Sequence, residues 1–332
     1  MERNTGYPEN DPLSRHNPDH GEISKLCEEF GLGDLICNHG DLGGLYNVNL
    51  KIETNKGMYV IRIASGLASE RHLRFSKQVI DVLHNANIPV LKPIVNEQGM
   101  NYSTYKDRFV QITPYIEAYA FQTNPRFANA SGRILRKMHD TLENAQAGPL
   151  PEWSNYPSSI VLEEGMSLLK DVCRVPHNQL SSAEQFYNLV MNEWEKLCHD
   201  LPETIIHGDW HMWNALYDTN GEVRAVLDFD FVQRAERIHD VAYMMWALLP
   251  NDSFPQLGSA FLQGYGELSD IEKRILPVAI ARASVFFICT SSFNPVPTDE
   301  LERQLTRQGP FIEWLLSNEG RRRVADLLSA TD

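Results

Sequence analysis

Apolar and polar positions follow two different rhythms along this chain, and the rhythm changes once. From Ile23 to Phe30 apolar residues recur at helical spacing, which predicts a short amphipathic helix. Residues 40–63 then read as extended chain: a strand over Tyr46–Glu53, the turn Thr54-Asn55-Lys56-Gly57, and a strand over Met58–Ile63. Over 69–87 the positions Leu73, Val79, Ile80, Val82 and Leu83 mark a second helix. Ile88-Pro89-Val90 returns to extended chain, Asn96-Glu97-Gln98-Gly99 reads as a turn, and Phe109–Thr113 is a buried strand stopped by Pro114. Beyond it helical spacing takes over, at 127–145, 158–172, 181–200, 237–249, 254–267 and 270–292, with 146–157 a Pro- and Gly-containing loop. Strands fed by one main helix, then a mainly helical half, predict an α+β chain of two lobes, 21–116 and 117–332, hinged near Pro114–Ala118. The polar residues 1–20 read as a disordered tail.

Composition narrows the classes. The 332 residues suffice for two lobes with real cores, and 42% apolar with 22% charged residues is ordinary for a globular protein. Five scattered cysteines without CxxC spacing, and no signal-peptide pattern at the start, suit a reducing, cytoplasmic setting. The apolar run Ile275–Cys289 is short for a bilayer and carries Arg282, so it reads as a core helix. A net charge of −14 disfavours nucleic acid and anionic membrane, and favours a small-molecule substrate bearing an amine.

The densest chemistry lies in residues 205–232. His207-Gly208-Asp209 follows an apolar pair, Asn214 lies five positions past Asp209, and Asp228-Phe229-Asp230 ends a second apolar run. Asn220-Gly221 between them is a two-residue hairpin signal, and such a hairpin folds the clusters together. Two carboxylates and an amide make a hard oxygen set suited to Mg²⁺ on phosphate, while a carboxylate off the metal can accept a hydroxyl proton. Asp and Asn also gather in turns for conformational reasons alone. His207, Asp209, His211 and His239 could instead serve a metallohydrolase, although they lack its helical His spacing.

The protein-kinase loop H-R-D-x-x-x-x-N followed by D-F-G has the same logic. With Gly208 at its second position and Asp230 at the end of the later motif, this stretch resembles the aminoglycoside phosphotransferase and choline kinase family, which includes type II homoserine kinases. The resemblance implies a protein-kinase-like fold, Asp209 as the catalytic carboxylate, and Asn214 and Asp228 as ligands of Mg²⁺. It implies that Gly43 and Gly44, in Gly43-Gly44-x-x-Asn47, cover the phosphates of ATP or GTP. Arg62, in Tyr59-Val60-Ile61-Arg62-Ile63, stands where this fold carries a phosphate-binding Lys. The Glu that normally orients such a cation has no clear counterpart. Ser76 and Gln78 occupy the expected helix face, leaving Glu70 as the candidate. Adenine is expected on the carbonyl of Gln111 and the amide of Thr113.

In the second lobe Gly132 reads as a close helix contact and His139 as a structural histidine; Asp240 suits the exposed amides of a helix start, while the resemblance implies that it braces the catalytic loop. Met212-Trp213 replaces the family's usual small pair before the Asn, and Trp213 is the aromatic expected to face substrate. The implied activity is phosphorylation of a hydroxyl on a small amine-bearing metabolite of the homoserine type. An aminoglycoside acceptor and a regulatory pseudokinase are the alternatives.

Overall fold

The computed structural model describes residues 15, 17–171, 174–248 and 253–329. Its first part comprises α1 (His20–Glu29), β1 (Leu35–Asp41), β2 (Val48–Thr54), β3 (Gly57–Ile63), α2 (Glu70–Asn85), β4 (Ser103–Tyr105) and β5 (Arg108–Pro114). The strands form one antiparallel sheet in the order β1-β2-β3-β5-β4. β2 alternates cleanly, burying Val48, Leu50, Ile52 and Thr54, and this face packs with Ile23, Leu26 and Cys27 of α1. α1 starts from a capping box: the Asp19 carboxylate accepts from Glu22 N–H (2.9 Å), and the Glu22 carboxylate from Asp19 N–H (2.8 Å).

Two expectations change here. Of the tail expected over 1–20, Arg15 pairs with Asp41, Pro18 is buried and Asp19 caps α1; residues 1–14 and 16 lie outside the described residues. The glycine-rich segment does not precede the first strand but links β1 to β2. β1 escapes the sequence pattern because it is mostly exposed and its register against β2 shifts twice.

The second part holds α3 (Pro125–Leu142), α4 (Ser159–Asp171), α5 (His177–Leu197), β6 (Glu203–Ile206), β7 (Ala215–Tyr217), β8 (Val223–Val226), β9 (Gln233–Glu236), α6 (Ile238–Leu248), α7 (Phe254–Tyr265), α8 (Asp270–Cys289), α9 (Pro297–Leu316) and α10 (Asn318–Ser329). The α+β class and the helical second half are as expected. α9 and α10 are additional; Gly309-Pro310 inside α9 reads as a breaker in sequence, yet the helix runs through it. The stretch Asp270–Phe293 is long and apolar enough to cross a membrane, but 83% of its most apolar window is buried in the protein. Arg282 is accommodated there by lying 3.8 Å over the Trp194 ring.

The two parts are joined by more than the 114–118 connection. Phe75, Val79, Ile80 and Leu83 of α2, with Ile88 and Val90, belong to the core of the helical part. Val226 N–H donates to the Pro89 carbonyl (2.7 Å), next to a parallel bridge between Val90 and Val226.

α3 crosses α7 without spacing. A Cβ on Gly132 would lie 2.1 Å from the Phe261 carbonyl oxygen, and one on Gly264 would lie 2.0 Å from that of Asn129. Both obstacles are backbone, so neither can rotate away. Gly132→Ala should therefore lower the unfolding free energy by about 2 kcal/mol in a urea titration. A variant as stable as its parent would show that this crossing opens without cost.

Candidate active site

The chain path through the site is set by a buried carboxylate at the start of α6. Asp240 accepts hydrogen bonds from the backbone N–H of His207 (2.7 Å) and Gly208 (2.9 Å) and from His139 Nε2 (3.0 Å). His139 Nδ1 meets the Tyr265 hydroxyl at 2.9 Å. This bends the chain leaving β6 into the segment 207–214. Gly208 takes φ +80°, and a Cβ there would lie 2.4 Å from the Phe231 carbonyl oxygen, so the second position admits only glycine.

β7 and β8 then pair as a hairpin, and Leu227 N–H donates to the Asn214 carbonyl (2.9 Å), extending the pairing to the doorstep of Asp228. The expected convergence of the two clusters is thus real. Its turn differs from the expected two-residue form. Asp218 N–H donates to the Glu222 carbonyl (2.9 Å) around Thr219-Asn220-Gly221, with Gly221 at φ +85°.

Asp209 sits among amide donors. Asn155 Nδ2 donates to its Oδ1 (2.7 Å), Asn214 Nδ2 to its Oδ2 and main-chain oxygen (both 2.9 Å), and His211 Nε2 lies 3.4 Å from Oδ2. Asn214 spends its N–H donors on Asp209, which leaves its amide oxygen for another partner. The Tyr243 phenol also lies against Asp209; burial first, and that carboxylate second, hold its proton firmly in place.

Arg62 reaches these groups from β3. Its Nη2 donates to Asp228 Oδ1 (3.0 Å) and to Asp230 Oδ2. Asp230 Oδ2 also accepts from Asn47 Nδ2 (3.1 Å). Asp230 was not among the expected site residues, although its place in Asp228-Phe229-Asp230 was visible. Burial and the neighbouring Asp230 hold the Asp228 carboxyl above the usual range, with Asp209 adding to the shift. Asp230 lies below that range, because Arg62 outweighs its burial. Burial opposes the charge on Arg62, but the two carboxylates overcome it. Burial likewise opposes the imidazolium of His211, and Asp209 outweighs it, so its pKa is raised. Asp228 holds φ +61°, a left-handed conformation that Asp tolerates better than most residues.

Several expectations need correction. Glu70 does not approach Arg62: it accepts from Arg74 Nε (3.0 Å) and the Tyr102 hydroxyl (2.5 Å) on the outer face of α2. Ser76, on the face where a Glu was sought, donates its hydroxyl to the Phe229 carbonyl (2.9 Å). Gln111 and Thr113 lie opposite Arg62 and Val60. Tyr115 N–H donates to the Met58 carbonyl and Ala64 N–H to that of Phe109, so alternation puts both pairs at hydrogen-bonded positions. Their backbone groups are therefore directed at β3. On the opposite edge the Ile112 carbonyl accepts from Ile94 N–H (2.7 Å), and alternation puts the Pro114 carbonyl on that same edge. The metallohydrolase set does not assemble: His207 Nε2 donates to the Leu227 carbonyl (2.9 Å), His239 Nε2 faces that of Gly208, and no three His, Cys, Asp or Glu among the described residues cluster for a metal.

Two features had no sequence signal. The 146–157 loop delivers Asn155 to Asp209, and its Trp153 packs edge-on against Tyr46 of the glycine loop (5.4 Å) and Phe231 (5.2 Å). α9 brings Arg307 to 5.8 Å from the Trp246 ring, which stacks on Tyr243. The glycine loop itself holds Gly43 at φ +100° and Gly44 at +134°, with Asn49 Nδ2 donating to the Gly43 carbonyl (2.7 Å). Trp213 is 66% exposed beside His211.

Residues 40–276, well over half of the chain, match the phosphotransferase enzyme family. The chain belongs to that family. As a member it is an enzyme that transfers phosphoryl groups to small-molecule hydroxyls. A homoserine kinase of Gluconobacter oxydans (strain 621H) is 24% identical over 296 residues, covering 85% of this chain and 90% of that relative. Among solved structures, a microcompartment-associated aminopropanol kinase superposes with a TM-score of 0.71 at 13% identity, over 91% of this chain and 99% of that one. An amicoumacin kinase, hAmiN, solved with AMP-PNP, Ca²⁺ and Ami, gives 0.67 at 17% identity over 90% and 94%. The phosphotransferase thus has the two-lobed, protein-kinase-like fold of these enzymes.

In this phosphotransferase, Asp240 is held below the usual carboxylate range: burial alone would raise it, but the His139 bond and charge outweigh burial. A depressed carboxyl contributes stability that is complete above its unfolded pKa, near 4, and is lost as pH falls through the lower folded value. Asp240→Asn should cost about 3 kcal/mol at pH 7, with the gap to the parent narrowing below about pH 4. Urea titrations at pH 7 and pH 3 read this; a gap equal at both would remove charge from the explanation.

Proposed function

We propose that this phosphotransferase moves the γ-phosphoryl group of ATP or GTP, with Mg²⁺, to the hydroxyl of a small amine-bearing acceptor of the homoserine type. One arrangement carries the reading: Asp209, Asn214 and Asp228 meet at the open end of the β7–β8 hairpin while Arg62 reaches them from β3. Arg62 pairs with Asp228 and Asp230, while Asp209 beside them is held by the Asn155 and Asn214 amides and faces His211, so carboxylates crowd a pocket that suits a divalent cation. The amide oxygen of Asn214 and the raised carboxyl of Asp228 form the hard-oxygen pair that would hold Mg²⁺. Bound there, the ion neutralises phosphate charge.

The chain's own groups do the rest. The glycine loop lies over the phosphates, and Arg62 presents its guanidinium to their oxygens. The base lies along the open edge of β5, on the Pro114 carbonyl and the Ile116 amide, in place of the Gln111 and Thr113 groups engaged by β3. Asn155 and Asn214 fix the Asp209 carboxylate, so that it accepts a hydrogen bond from the acceptor hydroxyl. As the hydroxyl oxygen bonds to the γ-phosphorus, the bond to the nucleoside diphosphate breaks and Asp209 takes the proton. The transition state is loose, so positioning contributes more than basicity.

Support for the acceptor class comes from the homoserine kinase relatives and from the rim of the pocket. Trp213, Tyr243 and Trp246, arrayed around His211, form an aromatic surface that suits an ammonium group. Arg307, near enough to bear on the Tyr243 phenol, suits a carboxylate.

Asp209→Asn should lower turnover by about 10²-fold or more while sparing nucleotide binding; undiminished turnover would remove Asp209 from the chemistry. A panel of homoserine, 1-amino-2-propanol and aminoglycosides, assayed for phosphate transfer, should single out homoserine. Arg307→Ala should raise the KM for homoserine about tenfold and leave carboxylate-free amino alcohols unaffected. Preference for the carboxylate-free acceptor would reverse the assignment.

A further inference from the structure

In kinase-like enzymes the phosphate-binding cation of the sheet is held by a glutamate from the small-lobe helix. This chain has a cation there, Arg62, but α2 contributes no carboxylate to it. Glu70 is taken by Arg74 and Tyr102, and Ser76 holds the Phe229 carbonyl. The guanidinium is instead gripped from below, by Asp228 and Asp230, and both carboxylates address its Nη2.

The two carboxylates are not equivalent. Asp228 makes a 3.0 Å contact to Arg62 and lies next to Leu227, whose N–H is bonded to Asn214. Asp230 is tied from a second side: Asn47 Nδ2 donates to the oxygen that meets Arg62, while Asn47 Oδ1 accepts from Ser65 N–H (2.9 Å) just beyond β3. Asn47 therefore spans the end of the glycine loop, the end of the Arg62 strand and Asp230. The Ser76 bond fixes the peptide between the two aspartates. Gripping only one terminal nitrogen leaves the Nη1 and Nε side of the fork for phosphate oxygens.

We propose that Asp230, tethered by Asn47, is the positioning residue for Arg62, so that the carboxylates of Asp228-Phe229-Asp230 divide their work: Asp228 serves the divalent cation and Asp230 serves the guanidinium. The proposal rests on the phosphotransfer reading of the same site. When Asp228 turns to the metal, Asp230 keeps Arg62 aimed at the phosphates. The same anchoring ties the glycine loop to the site through Asn47.

The test is steady-state kinetics on the full chain with MgATP and the acceptor found in the panel, alongside a Mg²⁺ titration at fixed ATP. Asp230→Asn should lower kcat/KM for ATP about tenfold or more, with the Mg²⁺ midpoint and the acceptor KM within about twofold of the parent. Asp230→Glu should recover part of the loss. In an Arg62→Ala background the Asp230→Asn change should cost almost nothing further, because its effect passes through Arg62. A raised Mg²⁺ midpoint with unchanged ATP kinetics would make Asp230 a metal ligand and overturn the proposal. Full additivity with Arg62→Ala, or no change in any constant, would overturn it too. If Asp230→Asn does not fold by circular dichroism, Asn47→Ala must shift kcat/KM for ATP about threefold in the same direction, and an unchanged value is again fatal. Failure of the phosphotransfer reading shows elsewhere, as full turnover in Asp209→Asn.

Discussion

The site depends first on a carboxylate that never meets substrate. Asp240 is fully enclosed, and its oxygens accept hydrogen bonds from two peptide N–H groups and one imidazole. Those peptides are His207 and Gly208, so the chain must bend where β6 ends and deliver Asp209 into the pocket. The bend forces Gly208 into a left-handed conformation and brings the Phe231 backbone against it. The end of β6 and the start of β9 are thereby clamped together, and Asp228 and Asp230 lie within the enclosed segment. Removing this charge would strand the two amides and the imidazole that it satisfies, so the bend depends on it.

Around that frame the protein assembles negative charge that only cations can satisfy. Arg62 balances part of it, and the amide groups of Asn155 and Asn214 screen Asp209 without cancelling its charge. Asn155 is held at a fixed depth because its loop is pinned at several points. Ser154 accepts from Gln233 Nε2 (2.6 Å), the Tyr156 hydroxyl donates to Glu236, and His72 of α2 donates to the Pro149 carbonyl (3.1 Å). A segment without regular structure is thus tied to both α2 and β9 on either side of Asn155.

The sequence was legible where local rules governed. Alternation in β2, helical spacing in α2 to α8 and the turn residues at 54–57 each have a short-range cause, and the Asp209, Asn214, Asp228 cluster follows from a hairpin whose strands are adjacent in sequence. What stayed hidden was set by distant partners. Asp230 looked like a variant ending of a motif until Asn47, 183 positions away, gave it a second contact. Asn155 lay in a stretch with no periodicity, and Arg307 on a helix masked by Gly309-Pro310. The direction of the Gln111 and Thr113 backbone groups is a matter of register, since one residue of offset along β5 exchanges the bonded edge for the open one. Glu70 has the right charge for Arg62, but the helix phase turns it outward to Arg74 and Tyr102.

The joint between α2 and the helical half bears on how a nucleotide gets in. Swinging the whole sheet away would pull Phe75, Val79 and Leu83 out of a shared apolar interior, at a cost of roughly 1.5–3 kcal/mol for each side chain laid bare. Lifting the 42–47 segment alone leaves that interior in place and breaks contacts such as the Tyr46–Trp153 edge pair, the Asn47 bonds and the bonds of Leu42 N–H and the Gly43 carbonyl to Asn49. Movement of that roof alone would leave the shared apolar floor standing.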